Sequence, residues 1–113
     1  MISKHYYQIF FWLCLLSTIL LSLMPVTGRQ LFEMQDKVGH AGIYAALYFL
    51  AAQAYGDRLS LWLLAIILVL FGLSMEFAQS MTGYRYADLW DALANSAGIL
   101  SIWIILMVRR RFV

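Results

Sequence analysis

Charged residues are scarce in this chain, and several features of soluble enzymes are absent. Only 12% of the 113 residues are charged, against roughly 25% in ordinary soluble domains. The single cysteine, Cys14, excludes an internal disulfide and a thiolate metal motif. The sequence has no glycine-rich phosphate loop, no HExxH or GxSxG motif, and no basic patch large enough to bind nucleic acid. These absences exclude the common soluble enzyme classes and a nucleic-acid partner.

Apolar residues are abundant instead and make up 64% of the chain. A helix needs about 20 mostly apolar residues to cross a hydrocarbon core of about 30 Å. The sequence therefore predicts an all-α, four-helix transmembrane bundle forming a single domain, 1–113, with spans at about 6–26, 38–55, 59–78 and 89–108. The first run is longer than the apolar part of a signal peptide, and no A-x-A-like cleavage site follows it, so we expect a retained helix.

The distribution of basic residues predicts the orientation of these spans. Five of the eight lysines and arginines fall on the side of the two termini, namely Lys4, Arg58, Arg109, Arg110 and Arg111. The other three, Arg29, Lys37 and Arg85, fall on the opposite side. Because cytoplasmic segments carry the excess of positive charge, we expect a multi-pass protein with both termini in the cytoplasm. The short link Gly56-Asp57-Arg58 predicts that spans two and three form an antiparallel hairpin.

Polar residues concentrate on the side opposite the termini, and helical spacing places them on three faces. The faces comprise Asp36, His40 and Tyr44 in the second span, Gly72, Glu76 and Gln79 in the third, and Asp88, Asp91, Asn95 and Gly98 in the fourth. Two pairs of small residues, Gly42 with Ala46 and Ala94 with Gly98, predict close approach of helix backbones. We expect the three polar faces to meet inside the bundle, with Trp90 pointing away.

Each of these residues also has a structural interpretation. Asp88 and Asp36 can cap the helices that they precede, since aspartate is among the best N-cap residues. Arg85 can anchor the chain at lipid headgroups. His40 alone can be an interfacial hydrogen-bonding residue, and Asn95 can bond across helices, which is worth on the order of 1 kcal/mol.

Capping does not account for Glu76 and Asp91. Glu76 is near the end of its span, where a negative charge opposes the helix dipole, and Asp91 is expected about one turn inside the next span. Two such carboxylates need protonation, a metal ion or basic partners such as Arg85, Lys37 or protonated His40. This pattern favours a polar pocket at the outer interface over a purely structural cluster.

The same residues resemble the motif pattern of the VanZ-like family. That pattern has an Asp-Lys-x-x-His element, a Glu-x-x-Gln element, an arginine in the following loop and an Asp…Asn…Gly helix start. The matching residues are Asp36, Lys37, His40, Glu76, Gln79, Arg85, Asp88, Asp91, Asn95 and Gly98. The resemblance implies a protein of the bacterial envelope and cytoplasmic membrane, in a family whose founding member is linked to resistance to the glycopeptide teicoplanin. It specifies no reaction.

Three functions are compatible with this pattern. The first is binding or modifying an amphipathic envelope molecule, such as a lipid, a lipid-linked precursor or a lipophilic glycopeptide, with Arg85 and Lys37 holding an anionic group. An enzyme of this kind would use His40 as acid or base, with Glu76 or Asp91 orienting it or holding a metal ion. The alternatives are an ion-coupled transporter, for which four spans would call for a homo-oligomer, and a non-catalytic scaffold subunit. Membrane lipids are the expected partners in each case. The sequence specifies no cofactor.

Overall fold

Four helices account for almost all of the residues described by the structure, which is a computed structural model covering 3–23, 35–81 and 89–112. The helices are α1 (Lys4–Leu23), α2 (Gln35–Tyr55), α3 (Leu61–Ser80) and α4 (Leu89–Phe112). No strand occurs in these described ranges. The prediction of an all-α, four-helix bundle is therefore confirmed.

Three of the helices, α1, α3 and α4 as far as Arg111, are long and apolar enough to cross a membrane. Their outward side chains are large and apolar, which is the composition that a helix needs toward lipid. The molecule is thus a membrane protein. The remaining helix, α2, is not among these three. Alanines, glycines and tyrosines take the place of much of the leucine and isoleucine that the other helices carry.

The position of α2 in the bundle compensates for its composition. It contacts each of the other three helices, while α1 and α4 lie on opposite sides of it. Leu47 and Tyr48 of α2 are completely buried and pack into a core with Leu64 and Leu68 of α3 and Ile99 of α4. A helix with few large aliphatic residues is therefore packed against all three of its neighbours.

The link between α2 and α3 marks one end of the bundle, which we call the hairpin end (56–60). The helix α3 begins at Leu61, two residues later than predicted, because Ser60 is its N-cap and accepts a hydrogen bond from the Leu63 N–H at 3.3 Å. Lys4 of α1 bonds Asp57 of this link at 2.9 Å, and the Tyr48 hydroxyl donates to the Leu61 carbonyl at 2.9 Å. The first contact fastens α1 to the link, and the second fastens α2 to the first residue of α3.

The two pairs of small residues have different outcomes. Gly98 of α4 lies directly against α2, since a Cβ at this position would overlap the Ala41 carbonyl oxygen. Close approach at Gly98 is confirmed. The prediction for Gly42 and Ala46 is wrong, because both are exposed and no described atom lies within 4 Å of a Cβ built at Gly42. The inward face of α2 is occupied by Tyr44, Leu47 and Tyr48, and residues 42 and 46 fall on the other side of the helix.

Candidate functional site

Polar side chains from α2, α3 and α4 meet at the end of the bundle opposite the hairpin end. We call His40, Glu76, Asp91 and Asn95 the polar cluster. Glu76 (6% exposed), Asp91 (7%) and Asn95 (2%) are buried, and His40 is partly buried. Helical phase predicted that these four residues face inward, and the structure agrees.

Asn95 determines the orientation of the His40 ring. Its Oδ1 lies 3.1 Å from His40 Nδ1, and an amide oxygen can only accept a hydrogen bond, so Nδ1 carries the proton. The other ring nitrogen, Nε2, then faces Asp91, whose Oδ2 is 3.7 Å away. The imidazole thus presents one nitrogen to an amide and the other to a carboxylate.

Glu76 completes a group of three metal-ligating side chains drawn from three helices. One ligand atom from each of His40, Glu76 and Asp91 lies within 4.8 Å of the other two. Glu76 and Asp91 therefore share one site with His40, as the sequence predicted. Helix packing, and not proximity in the sequence, creates this group.

The helix dipoles act on the two carboxylates in opposite directions. Asp91, predicted about one turn inside its span, lies in the first turn of α4 as the described residues define it. A negative charge is favoured there by the dipole. Glu76 lies near the C-terminal end of α3, where the dipole disfavours a negative charge. The dipole of α3 therefore does not offset the cost of burying a negative charge at Glu76.

Tyr44 and Gly72 form the floor of the polar cluster. A Cβ at Gly72 would lie 3.1 Å from Asn95 Nδ2 and 3.3 Å from the Tyr44 ring, so the absence of a side chain there leaves room for both. The Tyr44 ring is buried, lies 6.1 Å from the Phe71 ring between centroids, and interacts electrostatically with Glu76. These residues separate the cluster from the apolar core.

Gln79, predicted as a ligand-binding residue, makes a contact that the sequence did not indicate. Its amide Nε2 donates to the Ser22 carbonyl of α1 at 2.9 Å, and its side chain is buried. This bond ties the last turns of α1 and α3 together beside the cluster. A backbone carbonyl leaves no signal in the sequence, which explains why the partner was not predicted.

Four other predicted site residues cannot be placed in the cluster. Arg85 and Asp88 lie outside the described residues, and the side chains of Asp36 and Lys37 at the start of α2 also lie outside them. Their roles in capping or in binding an anionic group stay predictions.

A cleft of about 360 Å³ runs between α3 and α4 from the turn below the cluster toward the hairpin end. It is lined by Trp62, Ala65, Ile66, Val69, Ser96, Ile99, Leu100 and Trp103. The Ser96 hydroxyl donates to the Ala92 carbonyl of its own helix, so it presents no free donor to the cleft. The cleft surface is therefore almost entirely apolar. Sequence periodicity did not reveal the cleft, because it depends on how two helices pack.

The fold and the polar cluster define a class of protein, a helical membrane bundle with a buried polar site at one end. The chemistry available at the site is proton transfer through an oriented imidazole, hydrogen bonding, or coordination of a cation by one nitrogen and two carboxylate ligands. Comparison of the chain with protein-family models, curated proteins and solved structures finds no match.

Proposed function

We propose that this protein binds the polar head of an amphipathic envelope molecule at the polar cluster while the tail of that molecule stays in the lipid-exposed cleft between α3 and α4. The observation that carries the proposal is the convergence of His40, Glu76, Asp91 and Asn95 inside an otherwise apolar bundle. Ionisable groups inside a membrane bundle are costly unless they have partners, and they commonly mark substrate or ion sites.

The cleft supports the amphipathic character of the ligand. Asn95 belongs to the polar cluster and the next residue, Ser96, lines the upper end of the cleft. A molecule with its head at the cluster can therefore extend its hydrocarbon tail along Ile99 and Leu100. Lipids, lipid-linked precursors and lipophilic glycopeptides share this division into a polar head and an apolar tail.

The sequence resemblance to VanZ-like proteins supports a place for this molecule in the bacterial cytoplasmic membrane. The excess of basic residues at the hairpin end, where Lys4 meets Asp57, supports a cytoplasmic position for that end. The polar cluster then lies at the outer end of the bundle, on the side where the heads of envelope precursors and glycopeptides are found.

Retention of ligand by purified variants tests the proposal. The protein is reconstituted in nanodiscs that contain one of two bacterial envelope lipids, phosphatidylglycerol or a polyprenyl phosphate. It is then released from the nanodiscs and analysed by native mass spectrometry. We expect a retained amphiphile that is lost in Asp91→Asn and in Leu100→Trp, which fills the cleft. Asp57→Asn is the matched control at the hairpin end and should retain it. Equal retention by Asp91→Asn and the control would show that the polar cluster is a structural device that sets helix register.

A further inference from the structure

Three members of the polar cluster, His40, Glu76 and Asp91, have the composition of a metal site. They supply one imidazole nitrogen and two carboxylates, and one ligand atom of each lies within 4.8 Å of the others. Each comes from a different helix: His40 from α2, Glu76 from α3 and Asp91 from α4. A cation bound by all three would link the helices that enclose the site.

The distances suit a cation of small radius. Transition metals bind imidazole and carboxylate ligands at about 2.0–2.2 Å, which places tetrahedral ligands about 3.3 Å apart. His40 Nε2 and Asp91 Oδ2 are 3.7 Å apart, longer than a hydrogen bond and close to that separation. The other two pairs, both of which include Glu76, have ligand atoms within 4.8 Å of each other.

Asn95 supplies the outer-shell contact that a histidine ligand needs. Metal-bound histidines donate their second N–H to a carbonyl or carboxylate, which fixes the tautomer and aims the lone pair at the metal. The bond from His40 Nδ1 to Asn95 Oδ1 does this at 3.1 Å and directs Nε2 toward Asp91. Asn95 is itself 2% exposed and lies against Gly72. The histidine is therefore held in its ligating orientation by a residue that packing keeps in place.

We propose that His40, Glu76 and Asp91 bind one divalent transition-metal ion, of the zinc or manganese type, and that Asn95 positions the histidine. An imidazole ligand favours these ions over Mg²⁺ and Ca²⁺, which select oxygen ligands. Three protein ligands leave at least one coordination position open. The open position takes a phosphate or hydroxyl oxygen of the ligand head. This last step rests on the proposed function, whereas the metal site does not.

The experiment uses the metal ions alone. The purified chain in detergent is stripped with a chelator and titrated with Zn²⁺, Mn²⁺ or Mg²⁺ against a chromophoric competitor, and the bound metal is counted by plasma mass spectrometry. We expect one Zn²⁺ or Mn²⁺ per chain and no competition from Mg²⁺. Asn95→Ala should weaken binding about 10- to 100-fold, the range for an outer-shell partner. Asp91→Asn and Glu76→Gln remove ligands and should weaken it by more than about 100-fold, while Asp57→Asn should bind as the unmodified chain does.

X-ray absorption of the zinc-loaded, unmodified chain keeps the test independent of variant folding. The expected spectrum has nitrogen and oxygen ligands, one imidazole and no sulfur. Absence of stoichiometric binding, or equal affinity in Asp91→Asn and Asp57→Asn, overturns the metal site. An amphiphile that is retained by the metal-free chain in nanodiscs would leave the proposed function standing and remove only the metal. Stoichiometric metal without a retained amphiphile would do the reverse.

Discussion

At the scale of single residues, Asn95 connects the helices of the site. Its side chain accepts the His40 Nδ1–H, lies against Gly72 of α3, and belongs to α4, so it touches all three helices of the site. The histidine of α2 therefore depends on α4 for its tautomer. This one amide therefore orients the imidazole of the site.

Removing that amide tests its structural contribution. Asn95→Ala leaves His40 Nδ1 without its acceptor and should lower the free energy of unfolding by about 1 kcal/mol, the usual scale for a hydrogen bond between membrane helices. Unfolding by SDS in mixed micelles measures the difference. Ser101→Ala is the control, because the Ser101 hydroxyl is exposed and bonds only the Ala97 carbonyl of its own helix. A loss as large in Ser101→Ala would show that the interhelical bond adds nothing.

Lys4 and Asp57 predict a pH dependence at the hairpin end. The hydrogen bond from Lys4 lowers the pKa of the exposed Asp57 carboxyl below its ordinary value of 3.8. A carboxyl whose pKa is lower in the folded state adds stability above its unfolded pKa and loses that contribution as the pH falls through its folded pKa. Asp57→Asn should therefore melt slightly below the unmodified chain at pH 7 and equally with it near pH 2, as circular dichroism in detergent can measure. An equal difference at both pH values would assign the effect to the turn and not to the ion pair.

At the scale of the helices, the contact between α2 and α4 positions the site. Gly98 lies against the Ala41 carbonyl, and this contact is next to the His40–Asn95 bond in both helices. The separation of the two backbones at Gly98 thus determines whether the amide can reach the imidazole. Gly98 therefore belongs to the site, although it has no side chain that could bind or react.

Two glycines allow a matched test of this contact. Gly98→Ala forces α2 and α4 apart and should cost about 1–3 kcal/mol, the range for overpacking, while also weakening any ligand or metal bound by the cluster. Gly42→Ala meets open space in the described structure and should be neutral, or stabilising by about 0.5–1 kcal/mol through helix propensity. SDS unfolding compares the two. Similar behaviour of both variants would mean that the close contact at Gly98 relaxes freely.

The sequence predicted the helices and most of the inward faces, because apolar run length and a period of 3.6 residues report on both. It predicted His40, Glu76, Asp91 and Asn95 as neighbours from helical phase together with the resemblance to the VanZ-like motif pattern. It failed where the outcome depends on which helices pack together. Gly42 and Gly98 have equivalent patterns in the sequence, yet only Gly98 meets a neighbour. The bond from Gln79 to the Ser22 carbonyl likewise has a partner that sequence does not mark.

At the scale of the whole molecule, the chain separates two kinds of polar group at opposite ends. The hairpin end holds the Lys4–Asp57 pair, and Arg109 and Arg110 line a cavity there with Gln53 and Leu61. The opposite end holds the polar cluster. Both described chain ends therefore lie at the hairpin end. The site residues lie at the other end of the bundle, near the start of α2, the end of α3 and the start of α4.

Cysteine labelling tests the orientation proposed for this arrangement. In a chain with Cys14 replaced by alanine, Met81→Cys at the site end should react with a membrane-impermeant maleimide in intact cells. Arg58→Cys at the hairpin end should react only after permeabilisation. Both positions are exposed in the structure. The opposite pattern would place the polar cluster on the cytoplasmic side.

The sheltered position of α2 has a consequence for biogenesis. Taken alone, α2 is the helix with the smallest gain from entering lipid, because its first turns carry an aspartate, a lysine and a histidine. We expect it to insert poorly as a single segment and efficiently when joined to α3, and glycosylation mapping of the two segments can measure the difference. Entry of α2 into the bilayer is then coupled to assembly with its neighbours, so that the helix carrying His40 reaches its depth only as the site forms around it.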